Sequence, residues 1–231
     1  MAPREKRLPQ PVRADSLATQ TFHILKEAIF AGKFQPGEPV LEMHIAKSLE
    51  VSQATVREAL GLLEQSGLVV RTPGRKTTVT SLTTDDVRDR LSIRIALEEI
   101  ACEKAASRMP DTGFRELDKL AKAIRASVES NDCLKMTLDD FRFHRFIWER
   151  SETPILLRTL DQITTPLFAF LGGLHAKDSH NLQMGKRHEA IVDALRTRNP
   201  EIARRAMREH IQDSYRSFLE PERAARNAAR R

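Results

Sequence analysis

Two groups of side chains in this sequence could do chemistry. The first begins with Asp140 and His144, spaced four apart in a stretch of helical periodicity. That spacing puts a carboxylate and an imidazole on one helix face, one turn apart. His188 opens the run HEAIVDAL, where Ile191 and Leu195 mark the inward side. His210 stands in MREHI beside Met207 and Ile211. Three imidazoles and one carboxylate inside a helical bundle suit a divalent ion: zinc, with nickel or manganese as alternatives. The competing reading is that these are hydrogen-bonded core histidines, because only the fold can bring 144, 188 and 210 together. His175 and His180 fall in an expected interhelical turn, and His23 and His44 in the N-terminal half, so they stand outside the group.

The second group lies near the N-terminus. Gln53, Thr55 and Arg57 share one side of a predicted helix, with Val56, Leu60 and Leu63 on the other. A helix can enter the DNA major groove only with a polar exposed face and a rear face packed on a scaffold. Arg57 can fork onto guanine or clamp a phosphate, Gln53 has the shape for a bidentate contact to adenine, and the Ser52 and Thr55 hydroxyls suit phosphate or base contacts. Arg75 and Lys76, at the tip of a predicted hairpin, can reach phosphates or the minor groove. The alternative is a solvent-facing polar helix followed by an ordinary hairpin.

These residues need elements to position them. Residues 1–13 carry three prolines and five charges with no apolar periodicity, which predicts a flexible basic arm. Within 14–80, Leu17, Thr21, Ile24, Leu25, Ala28 and Ile29 follow a helical rhythm that Gly32 ends. A turn at Gln35-Pro36-Gly37 leads to a short helix from Glu42 to Leu49. Ser52 caps the next helix, Gln53 to Ser66, and Gly67 terminates it. Leu68–Thr72 and Lys76–Thr80 read as a hairpin around Pro73-Gly74-Arg75. Helix, helix, turn, helix, hairpin is the order of a winged helix-turn-helix. From 81 to 220 only helices are predicted, about six of them. Thr83 and Asp86 form a capping box opening the first, which runs to about Met109. Pro110 to Gly113 breaks the chain before a helix from Phe114 to Ser130. Asn131-Asp132 caps a third, Pro154 starts a fourth ending near Gly172-Gly173, a fifth spans roughly 179–197, and Asn199-Pro200 opens a sixth reaching about Leu219. Residues 221–231 form a basic tail.

Composition narrows the classes. Aromatics are 5% and glycines number 9 in 231 residues, which favours a mostly α fold over a β-sandwich. Residues 1–80 hold 11 Lys/Arg against 8 Asp/Glu and 221–231 hold 4 against 1, so the +6 net charge sits at the two ends and the middle is neutral. That distribution fits a polyanionic partner, with solubility as the plain alternative. Cys102 and Cys133 are isolated, which points to a reducing cytoplasm. No signal peptide is read at the N-terminus, and the most apolar run, Leu167 to Leu174, is too short to cross a bilayer.

The stretch ILKEAIFAGKFQPGEPVLEMHIAKSLEVSQATVREALGLLEQSGLVV resembles the N-terminal domain of GntR-type bacterial regulators, in its AI..G...PGE opening, its VS...VREAL..L...GLV core and its basic PGRK wing. The chain departs from that pattern at Gln53 and Met43, where arginines are usual, so adenine is expected to replace guanine at one operator position. Residues 84–219 are similar to the all-helical FCD ligand-binding domain of the FadR-like branch. The similarity rests on RIALEEIACEKAA with Arg94 and Glu98, on DFRFHRFI, and on HEAIVDALRTRNPEIARRAMREHI. Glu152-Thr153 replaces a usual Gly-Asn, which puts a different side chain near the ligand pocket.

The resemblance implies Asp140, His144, His188 and His210 as metal ligands, and a small organic acid whose carboxylate takes open positions on the ion. Arg94 would grip the same or a second carboxylate, or else pair internally with Glu98. It also implies a cytoplasmic homodimer on an inverted-repeat double-stranded DNA operator, with effector binding reorienting the reading heads to control repression. The other classes open at this point are a metal-dependent enzyme built on the same cluster and a non-specific DNA-architectural protein.

Overall fold

The computed structural model describes residues 16–72, 76–175 and 183–216, with 171–175 and 183–185 described by their backbone alone. The basic arm, Arg75 at the hairpin tip, His180 and the basic tail lie outside the described residues. The elements are α1 (Leu17–Phe30), α2 (Glu42–Ser48), α3 (Gln53–Gln65), β1 (Val69–Val70), β2 (Thr78–Val79), α4 (Thr84–Arg108), α5 (Asp111–Glu129), α6 (Cys133–Arg150), α7 (Pro154–His175), α8 (Gln183–Arg196) and α9 (Pro200–Ser214).

Local chemistry explains where the helices start. Side-chain oxygens accept from otherwise orphaned backbone N–H groups. Ser16 accepts from Thr19 and Ser52 from Thr55, both at 3.1 Å. Thr83 and Asp86 cap each other's backbone reciprocally at α4. Asp132 accepts from Lys135 at 2.9 Å, and Asn199 accepts from Glu201 and Ile202 ahead of the N1 proline of α9.

The structure corrects three expectations. Helix α5 begins at Asp111 and not at Phe114: the break at Pro110 ends α4 as expected, but the same proline occupies the N-cap position of α5. Helix α7 runs through Gly172 and Gly173 to His175, so His175 closes a helix and does not lie in a turn. In α1, Leu17 and Ile24 are 60% and 50% exposed. The buried residues there are Ala18, Thr21, Leu25, Ile29 and Phe30, a face shifted from the apolar pattern.

In the reading head, α3 packs on α1 and α2. Strands β1 and β2 pair antiparallel, Val69 opposite Val79 and Val70 opposite Thr78. The Gly37–Val40 segment closes the far side of β2 through bonds between Val79 N and Glu38 O and between Val40 N and Thr77 O. In the bundle, α4 lies along α9 and touches α6 and α7, while α5 packs against α6 and α8. The bundle has its own apolar cluster around Leu91, Ile124, Phe143 and Leu195. A second cluster crosses between the parts. It joins Leu25, Phe30, Leu60 and Leu63 of the head to Phe141, Trp148, Leu160 and Phe168 of α6 and α7.

The turn after α3 meets α7 closely. Gly67 has φ +75°, and an added Cβ would lie 3.0 Å from Gln162 O and 3.3 Å from Pro166 Cγ. Pro166 lies inside α7 and has no N–H to give to Gln162 O. The neighbouring carbonyl, Ile163 O, accepts from Arg90 Nη1 at 3.0 Å. The proline thus leaves a polar backbone shoulder that only a glycine can approach. Gly67→Ala is expected to lower unfolding free energy by about 2 kcal/mol, read from urea denaturation. A loss within error of zero would show that the turn shifts freely away from α7.

Candidate metal centre and DNA-reading face

Three helices deliver four side chains to one point. Asp140 and His144 come from α6, His188 from α8 and His210 from α9, and all four are buried. One potential ligand atom from each lies within 4.8 Å of the others. His188 Nε2 is 2.8 Å from Asp140 Oδ1, and His144 Nε2 is 3.4 Å from the same oxygen. The His188 and His210 ring centroids are 4.5 Å apart, and those of His144 and His210 are 5.2 Å apart. Bonds of about 2.1 Å to a metal allow donor atoms to be at most about 4.2 Å apart. A small inward adjustment therefore brings all four into range.

Unpartnered atoms in the interior fit that use. His144 Nε2 and His210 Nδ1 are buried without a hydrogen-bond partner. A buried polar atom left alone costs about 1–3 kcal/mol, so such atoms mark an incomplete environment. Burial, reinforced by His188 and His144 beside it, pushes His210 well below its ordinary pKa, which keeps a lone pair available. Burial favours a neutral Asp140, but the His144 and His188 imidazoles that face it outweigh burial and hold its carboxyl well below the usual range. Imidazole nitrogens with one carboxylate form a donor set suited to zinc, nickel or manganese.

Behind the cluster stands Glu98, with no exposed surface. Its Oε2 is 2.7 Å from His144 Nδ1, and its Oε1 accepts from Arg94 Nε at 2.5 Å. A carboxylate on Nδ1 fixes that nitrogen as the proton carrier and turns Nε2 toward the other three side chains. Burial works against charge on Glu98, yet His144 and Arg94 outweigh it and draw the carboxyl down to about 2. Burial likewise disfavours a charged His144, and Glu98 reverses this, raising its pKa. Sequence spacing placed Glu98 only as a partner for Arg94. Its second bond, to His144 on another helix, had no local signal.

Arg94 pairs internally with Glu98, one of its two sequence readings. Nε makes the internal pair, while Nη1 and Nη2 are buried with no hydrogen-bond partner. The guanidinium carbon lies 4.6 Å from the Phe168 ring centroid and 5.6 Å from that of Tyr215. Burial first, and the nearby carboxylates with it, push the Tyr215 phenol up to about 12, so it stays protonated. The Glu152-Thr153 pair sits at the α6–α7 turn. Glu152 takes φ 50° where a glycine would be at ease, and Thr153 accepts from Lys104 Nζ at 3.0 Å.

On α3, Gln53 and Arg57 are exposed and adjacent, Arg57 Nη2 lying 3.5 Å from Gln53 Oε1. Arg57 Nε also donates to Glu42 of α2 at 2.8 Å. The Ser52 and Thr55 hydroxyls lie 2.8 Å from each other. They therefore serve the helix cap as well as any outside partner. Lys76 is exposed on the hairpin, and Met43 is 68% exposed on α2.

Comparison with known proteins adds to this geometry. Residues 89–213 match the FCD domain, and residues 17–79 match the family described as bacterial regulatory proteins, gntR family. The HTH-type transcriptional regulator YdhC of Bacillus subtilis is 29% identical over 197 residues, covering 83% of this chain and 86% of that protein. A Paenarthrobacter nicotinovorans protein named "Probable D-xylose utilization operon transcriptional repressor" is 30% identical over 196 residues, covering 85% of this chain and 86% of its own length. Among solved structures, Escherichia coli McbR/YncC superposes with a TM-score of 0.78 at 23% identity, over 90% of this chain and 99% of that one. That likeness speaks for the fold.

The buried Glu98 makes stability depend on acid in a defined direction. Its pKa is depressed on folding, from 4.5 to about 2. The stability it supplies is complete above pH 4.5 and is lost as pH falls toward 2. In metal-free protein, Glu98→Gln is expected to be less stable than wild type by about 3 kcal/mol at neutral pH. That gap should narrow through this window in urea titrations at stepped pH. A constant gap would mean that the carboxylate charge is not what the pocket uses.

Proposed function

Because the chain belongs to the gntR family of bacterial regulatory proteins, with an FCD domain behind its reading head, we propose that it is a sequence-specific repressor whose operator binding is set by a small carboxylate held at a divalent metal in the bundle. The matched families and the named relatives are transcription regulators and not enzymes, and the chain shares that class. The observation that carries the finer reading is the convergence of Asp140, His144, His188 and His210 within 4.8 Å, beside an Arg94 whose terminal nitrogens have no hydrogen-bond partner.

Each residue has a role in this reading. The four ligands hold the ion, and Glu98 orients His144. When bound, the ion supplies Lewis-acid positions on which an effector carboxylate can sit. Arg94, pinned through Nε, offers its two terminal nitrogens as a fork for that carboxylate or a second one. Gln53 and Arg57 read base edges, while Ser52, Thr55, Arg75 and Lys76 serve the phosphate backbone.

The repressor acts as a homodimer on an inverted repeat, since one recognition helix contacts too few base pairs for tight specific binding. The outer face of α4 supports a second copy. Ile93 and Ile100, two turns apart, are 48% and 40% exposed, with Ala96 and Leu97 between them. Its place is the cytoplasm, where operator DNA is found. No helix among the described residues is long and apolar enough to cross a membrane.

The direct test of the pocket couples metal content to DNA binding. Protein prepared without chelator should carry close to one divalent ion per chain, and a His188→Ala variant of unchanged helicity should carry none. Zinc returned to stripped wild type at about 100 times its dissociation constant should add about 2.7 kcal/mol of stability, and gel shifts on selected operator DNA should respond to a panel of small carboxylic acids only in the metal-loaded form. Metal-free wild type, or a response to acids that survives in His188→Ala, would refute the metal-centred reading.

The reading face has its own test. Selection from random DNA should give a half-site with adenine at the position facing Gln53, and Gln53→Arg should move that preference to guanine. An unchanged preferred sequence would show that Gln53 does not read a base.

A further inference from the structure

A cavity of about 410 Å³ lies between the reading head and the bundle, away from the four-ligand cluster. Its walls come from α1 through Phe22 and Lys26, and from α6 through Leu138, Phe141, Arg142 and Arg145. That volume lies in the range of small-molecule sites. Its lining joins an apolar floor to three cations, Lys26, Arg142 and Arg145, and the Glu27 and Asp161 carboxylates also stand in its wall.

Lys26 is the distinctive member. Its ammonium nitrogen lies 4.2 Å from the Phe141 ring centroid and 5.5 Å from that of Phe30. Ring faces attract the charge but accept none of its three N–H groups conventionally. Among the described residues it makes no ion pair and no side-chain hydrogen bond. Asp161, also in the cavity wall, is taken by Arg145: its oxygens lie 3.1 and 3.4 Å from that guanidinium. Arg142 is tied on one side to Asp139 at 3.2 Å yet is 58% exposed at the cavity rim. Burial, opposed by Asp161 and aided by Arg145 and Arg142, brings the Lys26 pKa down to about 8. A cation is thus held half out of water against aromatic carbon, with its donors unspent.

The geometry points to this cleft as a second ligand site, one that takes a small organic carboxylate with an aromatic or apolar body. The carboxylate would meet Lys26 and Arg142, and the body would lie on Phe22, Leu138 and Phe141. Such a ligand would bridge the reading head and the helix that carries Asp140 and His144. Its chemistry does not involve the metal cluster, so it stands apart from the function proposed above.

Benzoate is the probe, titrated into the full-length chain stripped of metal. The readout is fluorescence of Trp148, the one tryptophan of the sequence, whose ring meets that of Phe141 at 5.9 Å. A saturable change is expected. Lys26→Met should weaken it by about tenfold or more while keeping the thermal midpoint, and Lys26→Arg should keep most of it. Arg142→Ala, at a solvent-exposed position, should weaken it too and serves if the lysine variants fold poorly. Inorganic phosphate should give no comparable response. The proposal is overturned if no saturable change occurs, if Lys26→Met and Arg142→Ala both bind like wild type, or if phosphate binds as well as benzoate.

Discussion

A carboxylate with no access to water must be paired or protonated, and Glu98 is paired twice. One oxygen takes Arg94 Nε and the other lies against His144 Nδ1. The interior of the bundle is arranged around that demand. Glu98 joins α4 to α6, sets which imidazole nitrogen of His144 faces Asp140, and leaves the far end of Arg94 pointing past Phe168 and Tyr215. The arginine and the Asp140–His144–His188–His210 cluster are therefore two ends of one charge network, not two separate sites.

The reading head does not hang from the bundle by a linker alone. Its core residues Phe30, Leu60 and Leu63 continue into Phe141, Trp148 and Phe168 without a polar break. Phe141 lies next to Asp140 in sequence, and its ring meets Phe30 at 6.0 Å and Phe168 at 5.3 Å. Phe168 in turn stands 6.0 Å from the His144 ring. Packed aromatic rings tolerate little empty space, so displacement at one end is felt at the next. This is a contiguous physical contact from ligand cluster to DNA-binding helices.

Much of the architecture was legible in the sequence because caps and periods are local. Ser52, the Thr83–Asp86 box, Asp132 and Asn199-Pro200 each signal a helix start within four residues, and the helices begin there. Pro110 misled because a proline that ends one helix can equally open the next. The candidate site was only half legible. Asp140 and His144 share a helix face by spacing, but His188 lies 48 residues beyond Asp140 and His210 on a further helix. Their meeting is a property of the bundle, and only family resemblance pointed to it. The cleft at Lys26 was not legible at all. Phe141 reads as one more core residue, and nothing in a linear pattern says that its other neighbour is a lysine from the first helix.

Helix α6 carries ligands and head contacts at alternating steps around one cylinder. Asp140 and Phe141, like His144 and Arg145, are neighbours about 100° apart around the axis. A crankshaft has the same plan: journals at different angles on a single shaft. Turning α6 by about 10° about its axis would sweep side-chain tips at a radius of about 5–6 Å through about 1 Å on both faces at once. Any force on Asp140 and His144 and the seating of α1 on Phe141 would thus share a single rotational degree of freedom.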